Sequence, residues 1–273
     1  MVPTYTWPWV ETEATLLAQD WHDCAARSLP RGLSYTPHEQ RNREQAYDEG
    51  LRAVELELGH APRTKAERIA MQDRLVAAFA RFAAAALNLE EEAIQLITRG
   101  FLRAGAEFAR RSRRFDAALT IAEIVQACRN AWTVCGLQPL LGEPSHITPS
   151  IVGYSLLYPY TDNYLDRRDA SAQAKHLFCA RFRQRLRGEH LPAQNDHEAA
   201  VWALVEMIEG QYPRAEYHQV FDSLLAIHRA QEESIAQLSA ARPCTDREIL
   251  RISYAKGGSS VLADACLARG WLN

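Results

Sequence analysis

Nearly every stretch of this 273-residue chain repeats its apolar residues with the helical period, and none alternates apolar and polar residues long enough to argue a sheet. An all-α fold follows, in which each helix buries one apolar stripe against its neighbours. Helices are expected over 11–29, 38–58, 64–87, 89–113, 116–135, 170–188, 196–210 and 214–240. Pro30, Gly59, Pro62 and Gly136 mark where some of them stop. A further helix opens at Thr148-Pro149, an N-cap followed by proline at the first helical position. The last opens at Thr245-Asp246-Arg247-Glu248, a capping-box pattern, and runs through Lys256, Ser260 and Asp264. Asp196 is the expected cap of its helix. With no internal repeat and no low-complexity linker, a single domain over 1–273 is the simplest expectation.

Charge and cysteine usage remove several classes of function. The net charge is −3, which gives no global field toward nucleic acid or an anionic membrane. The most apolar segment, 75–89, is broken by Arg81 and is too short to span a bilayer. The N-terminus, with Trp7, Pro8, Trp9, Glu11 and Glu13, is no secretory signal. Six cysteines are spread at helical positions without a C-x-x-C pair, so buried reduced thiols and a cytoplasmic setting are expected. No P-loop, G-x-S-x-G or G-x-G-x-x-G occurs, and His218 and His228, ten apart, are expected to have no third ligand nearby.

The stretch richest in chemistry is Tyr158-Pro159-Tyr160-Thr161-Asp162-Asn163-Tyr164-Leu165-Asp166-Arg167-Arg168-Asp169. Its three aspartates at i, i+4 and i+7 fall within a stripe about 60° wide on a helix. Like charges so placed cost a few tenths of a kcal/mol, roughly, unless something offsets them. A hard cation does so; Mg²⁺ takes one or two carboxylates with water and phosphate oxygens, and Asp169 could join Asp162 and Asp166. A solvated acidic turn partnered by Arg167 and Arg168 is the competing reading. Pro159 should kink the helix just before Asp162.

Lys256-Gly257-Gly258-Ser259-Ser260 is a second constellation, with Lys256, Ser260 and Asp264 on one helical face. A lysine beside glycines can approach a phosphate closely, whereas the competing reading is a helix crossing through small residues. Arg110, Arg111, Arg113 and Arg114 read as a solvated face, but Arg129 sits among Ile121, Val125, Ala131 and Trp132. A partly buried arginine there needs an anionic partner.

Taken together, these segments resemble class I isoprenoid enzymes, and more narrowly the tetraprenyl-β-curcumene synthase type of large terpene synthase. The likeness rests on Arg114-Phe115-Asp116, Gln126 to Trp132, Leu156 to Asp166, Met207 to Pro213, Ala230 to Ser234 and Lys256 to Asp264. It covers 89–273 as a helical core, with 1–88 as divergent N-terminal helices. The resemblance implies that Asp162 and Asp166, with Asp169, hold Mg²⁺ against the diphosphate of a prenyl substrate. Lys256, Ser260 and Arg129 would bind that diphosphate. Trp132, Tyr154, Tyr158 and Tyr164 would line a cavity for the cation left by its departure.

One departure matters. Enzymes of this design carry a second Asp-rich helix, Q-x-x-D-D-x-x-D, some way after the lysine segment, and the sequence ends at Gly270-Trp271-Leu272-Asn273 before any such motif. A bundle lacking its last helices is therefore expected: a fragment, a shortened paralogue, or half of a split enzyme working as a homodimer or with a complementary subunit. A degenerate homologue that binds prenyl diphosphate without turnover, and a helical interaction protein with no ligand, stay open.

Overall fold

The computed structural model describes residues 6–24, 34–59, 62–238 and 243–272, apart from the side chains of Arg99, Tyr158 and 236–238. Among the described residues there is no strand, and the fold is all-α. No described helix is long and apolar enough to cross a membrane. Compactness divides the chain into two units, Arg27–Arg103 and Met1–Ala26 with Ala104–Asn273.

In the Arg27–Arg103 unit, α1 (Pro37–Leu58) and α2 (Lys65–Ala86) each open on a capping box, Thr36 with Glu39 and Thr64 with Glu67. Such reciprocal bonds satisfy N–H groups that a helix start leaves orphaned. The two helices pair antiparallel, with Tyr47 edge-on to Phe82 and Arg74 bonded to Glu57. Gly50 permits the approach, since a Cβ there would meet Phe82 at 2.6 Å. After α3 (Glu91–Gln95) comes a π-helical turn, Leu96–Phe101, within the helix expected over 89–113.

The larger unit contains α4 (Trp7–Asp23), α5 (Leu102–Phe115) from Ala104 onward, α6 (Ile121–Leu140), α7 (Pro149–Asp166), α8 (Ala172–Leu186), α9 (Asp196–Gln211), α10 (His218–Leu238) and α11 (Asp246–Arg269). Several boundaries differ from those expected. Asp116 does not open α6; Thr120 caps it through a capping box with Glu123, and the helix runs past Gly136 to Leu140. Asn195, not Asp196, caps α9 by accepting from the Glu198 N–H. The first expected helix starts earlier, at Trp7, and residues 25–29 of it lie outside the described residues. Thr148 and Thr245 cap α7 and α11 as their sequences require.

The core is built around α7. Ile151, Val152 and Leu156 are fully enclosed, and Leu157 and Leu165 are buried as well. Apolar residues on all sides of one helix mark it as central. Burying these five side chains is worth on the order of 10 kcal/mol before chain entropy is charged against it. α9 lies antiparallel to α7: Gln211 accepts from the Ser150 N–H at 3.1 Å, and His197 Nε2 meets the Tyr160 carbonyl at 2.6 Å. Gly153 makes the fit, because a Cβ there would lie 2.6 Å from the Leu204 carbonyl oxygen. α11 lies on another side of α7, also antiparallel, with the Tyr154 hydroxyl 3.4 Å from Ser260 Oγ. α4 covers α10 and α11 through Val10, Ala14, Ala226, Ala230 and Ala255.

Arginines lock α8 into this frame. Arg181 bonds both oxygens of Glu198, and the buried Arg185 bonds both oxygens of Glu209, which Arg214 also holds. Planar guanidinium groups suit such two-point pairing with carboxylates.

Candidate functional site

A cavity of about 250 Å³ opens where α7, α8, α10 and α11 converge. Its wall is apolar, formed by Leu157, Leu165, Phe182, Leu186, Leu224 and Ile227. Polar groups enter from Asn130 on α6, Tyr154, Thr161 and Asp162 on α7, His228 and Gln231 on α10, and Lys256 and Ser260 on α11. An apolar concavity with a few convergent polar groups is the usual form of a small-molecule site.

The two sequence constellations meet here. Asp162 is only 9% exposed, and Lys256 Nζ lies 3.8 Å from its Oδ2. Gly257 lines the same cavity, and a Cβ at Gly257 or Gly258 would meet no atom within 4 Å. The competing reading, a helix crossing through these small residues, does not hold at the pair: both glycines sit inside α11 and face open space. At Gly257 the missing side chain keeps room beside Lys256.

Below Ser260 on α11, Asp264 is 3% exposed, and its Oδ1 has no hydrogen-bond partner. Burial pushes its carboxyl up to about 8, so it is largely protonated at neutral pH. Burial also pushes the Tyr154 phenol up, with the charges of Asp264 and Asp162 adding to the effect. The phenol thus stays protonated, available to donate toward Ser260.

Other expected site residues lie elsewhere. α7 ends at Asp166, so Asp169 leaves the helical stripe; it is exposed and bonds Arg167 through both oxygens. Asp166 is exposed and does not line the cavity. Arg129 is exposed rather than partly buried, because its neighbours Ile121 and Val125 are 74% and 52% exposed and give no apolar cover. Trp132 packs over Gly105, within 3.1 Å of where a Cβ would sit. Tyr164 stacks on His197 and meets Phe178 edge-on, and it lines a separate depression rather than the cavity. The Tyr158 side chain lies outside the described residues. Pro159 is accommodated inside α7, where it cannot supply an N–H to the carbonyl one turn back. Of the arginine run, Arg110 and Arg111 both pair with Glu107 on the surface of α5, as a solvated face should.

Periodicity alone did not single out His228, Gln231, Asn130 or the Leu224–Ile227 wall. Gln231 lies in one of the segments that carried the family likeness, and that was the one signal for α10. His228 is buried, with Nε2 2.9 Å from the Cys179 carbonyl oxygen.

Compared with protein families, with curated proteins and with solved structures, the chain finds no match. The functional reading therefore rests on the residues and their arrangement.

Proposed function

We propose that the cavity binds a prenyl diphosphate with Mg²⁺, and that the chain acts as a class I terpene synthase on an allylic diphosphate. The observation that supports this is the meeting of Asp162 with Lys256 and Gly257 at an apolar cavity, from two helices far apart in sequence. The donor set suits magnesium, since Asp162, Asn130, Thr161, Gln231 and Ser260 offer hard oxygen atoms. When bound, the metal supplies charge neutralisation to the diphosphate oxygens.

In this reading Lys256 moves its ammonium from Asp162 to the diphosphate and stabilises the negative charge that grows as the allylic C–O bond breaks. The bonding pair leaves with the diphosphate, and the allylic cation remains among Leu157, Leu165, Leu224 and Ile227, whose apolar side chains limit the approach of water. Phe182 presents an aromatic ring to that space, and ring faces attract cations. At about 250 Å³ the cavity lies near the lower edge of small-molecule sites, which favours a short prenyl chain.

Incubating the purified chain with Mg²⁺ and prenyl diphosphates from geranyl upward tests the reaction. Release of diphosphate with a hydrocarbon or alcohol product is expected, and release with none of them sinks the catalytic claim. A second reading, binding without turnover, is favoured by one observation: among the described residues, Asp162 is the single carboxylate lining the cavity. Saturable Mg²⁺-dependent binding with no diphosphate release would select it.

A further inference from the structure

Behind the cavity wall, α8 and α10 bring together Cys179, His228 and Glu232, and one ligand atom from each lies within 4.8 Å of the others. Cys179 and His228 are buried, and Glu232 is half-buried. The pair on α10 is spaced i, i+4, so both side chains rise from one face, with His228 Nε2 3.8 Å from Glu232 Oε1. We propose that Cys179, His228 and Glu232 form a binding site for a borderline transition-metal ion, Zn²⁺ foremost, with a fourth position open to a surface depression.

The donor chemistry selects the metal. Thiolate and imidazole ligands with one carboxylate suit zinc and exclude the hard cations that an all-oxygen set would favour. Tetrahedral zinc at ordinary bond lengths places its ligand atoms about 3.3–3.6 Å apart, so the three groups close by about 1 Å or a little more. Side-chain rotation on two fixed helices can supply that. Arg183 holds Glu232 Oε1, whereas Oε2 is buried without a hydrogen bond and has only a long ion-pair contact with Arg229, at 3.8 Å, for a metal to displace. Arg183 thus takes the place of an outer partner that orients a ligating carboxylate. A metal at Nε2 would replace the contact that His228 makes with the Cys179 carbonyl oxygen at 2.9 Å. Cys179 loses its thiol proton to solvent as the metal–sulfur bond forms. The ion reaches the site through the depression that Lys175, His176, Cys179, Arg183, Arg229 and Glu232 help to line. His176 lies one turn before Cys179 on α8, where water or its own imidazole can complete the coordination.

The site is separate from the magnesium reading, since its donors differ and it stands or falls without a diphosphate. His228 alone touches both, as it also lines the cavity. The test titrates the chelator-treated full chain with Co²⁺ and then Zn²⁺. One ion per chain is expected, with the intense visible absorption of tetrahedral cobalt and a thiolate-to-cobalt charge-transfer band that Zn²⁺ abolishes. Cys179→Ser removes that band, and Cys179→Ser and His228→Gln each weaken binding by about 100-fold or more, beyond what loss of an outer partner costs. Asp162→Asn leaves the band intact, which separates this site from the one at the cavity mouth. A wild-type chain without the band overturns the proposal. So does a band that persists in His228→Gln at unchanged affinity, a result that decides the matter even if Cys179→Ser does not fold.

Discussion

Lys256 Nζ stands 3.8 Å from Asp162 Oδ2, joining α11 to α7 beside the apolar cavity that both residues line. The contact is too long for a strong hydrogen bond, and Lys256 is more than a third exposed. The pair therefore adds little to stability and leaves the lysine free to turn toward an incoming anion. Lys256→Ala should change folding stability by less than about 1 kcal/mol. It should weaken Mg²⁺–diphosphate binding by roughly tenfold or more, the worth of one charge-assisted hydrogen bond. Urea denaturation and titration calorimetry on the same variant check the two halves.

The paired glycines of α11 give a sharper contrast. A Cβ at either would meet nothing, so Gly257→Ala and Gly258→Ala should each stabilise the helix by about 0.5–1 kcal/mol. Only Gly257 lines the cavity, so only Gly257→Ala should also weaken ligand binding. Melting curves and binding isotherms for the two variants check this.

Gly153 is the opposite case. A Cβ there would sit 2.6 Å from the Leu204 carbonyl and crowd Ile208 and Met207, forcing α7 and α9 apart. Gly153→Ala should destabilise the larger unit by about 1–3 kcal/mol, the usual cost of overpacking. Denaturant midpoints for wild type and variant measure it.

Asp264 ties stability to pH. Burial raises its folded-state value to about 8, well above that of the unfolded chain, so the folded state binds the extra proton between the two. The associated stability is present in full below pH 4 or so and is lost as pH rises through about 8. His228 and His197 act in the opposite sense: burial lowers both, so their contribution is lost as pH falls below the ordinary histidine range. Asp264→Asn, close in shape, should remove the alkaline loss alone, gaining a few kcal/mol at about pH 9 relative to wild type and much less at pH 5. Chemical denaturation of both proteins across that range tests the sign.

Helix identity was legible because it is a local property. The pattern Thr-x-x-Glu and the Thr148-Pro149 start fix α11 and α7 whatever they pack against. Asp162 and Lys256 were found for a similar reason, since each stands out by type and spacing within its own helix. Burial was not legible in that way. Arg129 has apolar neighbours in sequence, yet Ile121 and Val125 face away from any partner helix, and the arginine is exposed with them. Asp169 shared a helical stripe only while the helix was taken to continue, and Arg167 ends it. Cys179 and His228 are far apart in the chain and meet only because α8 packs on α10, which no spacing rule anticipates.

Asp162 and Lys256 are proposed to form the mouth of a Mg²⁺-dependent prenyl diphosphate site. Calorimetric titration with a thiolo analogue of geranyl diphosphate, which resists ionisation, tests it with and without Mg²⁺, on wild type and on Asp162→Asn. Saturable binding that needs Mg²⁺ and weakens at least about tenfold in Asp162→Asn, at unchanged helicity, is the predicted result. No binding to the wild type, or equal binding to the variant, would contradict it.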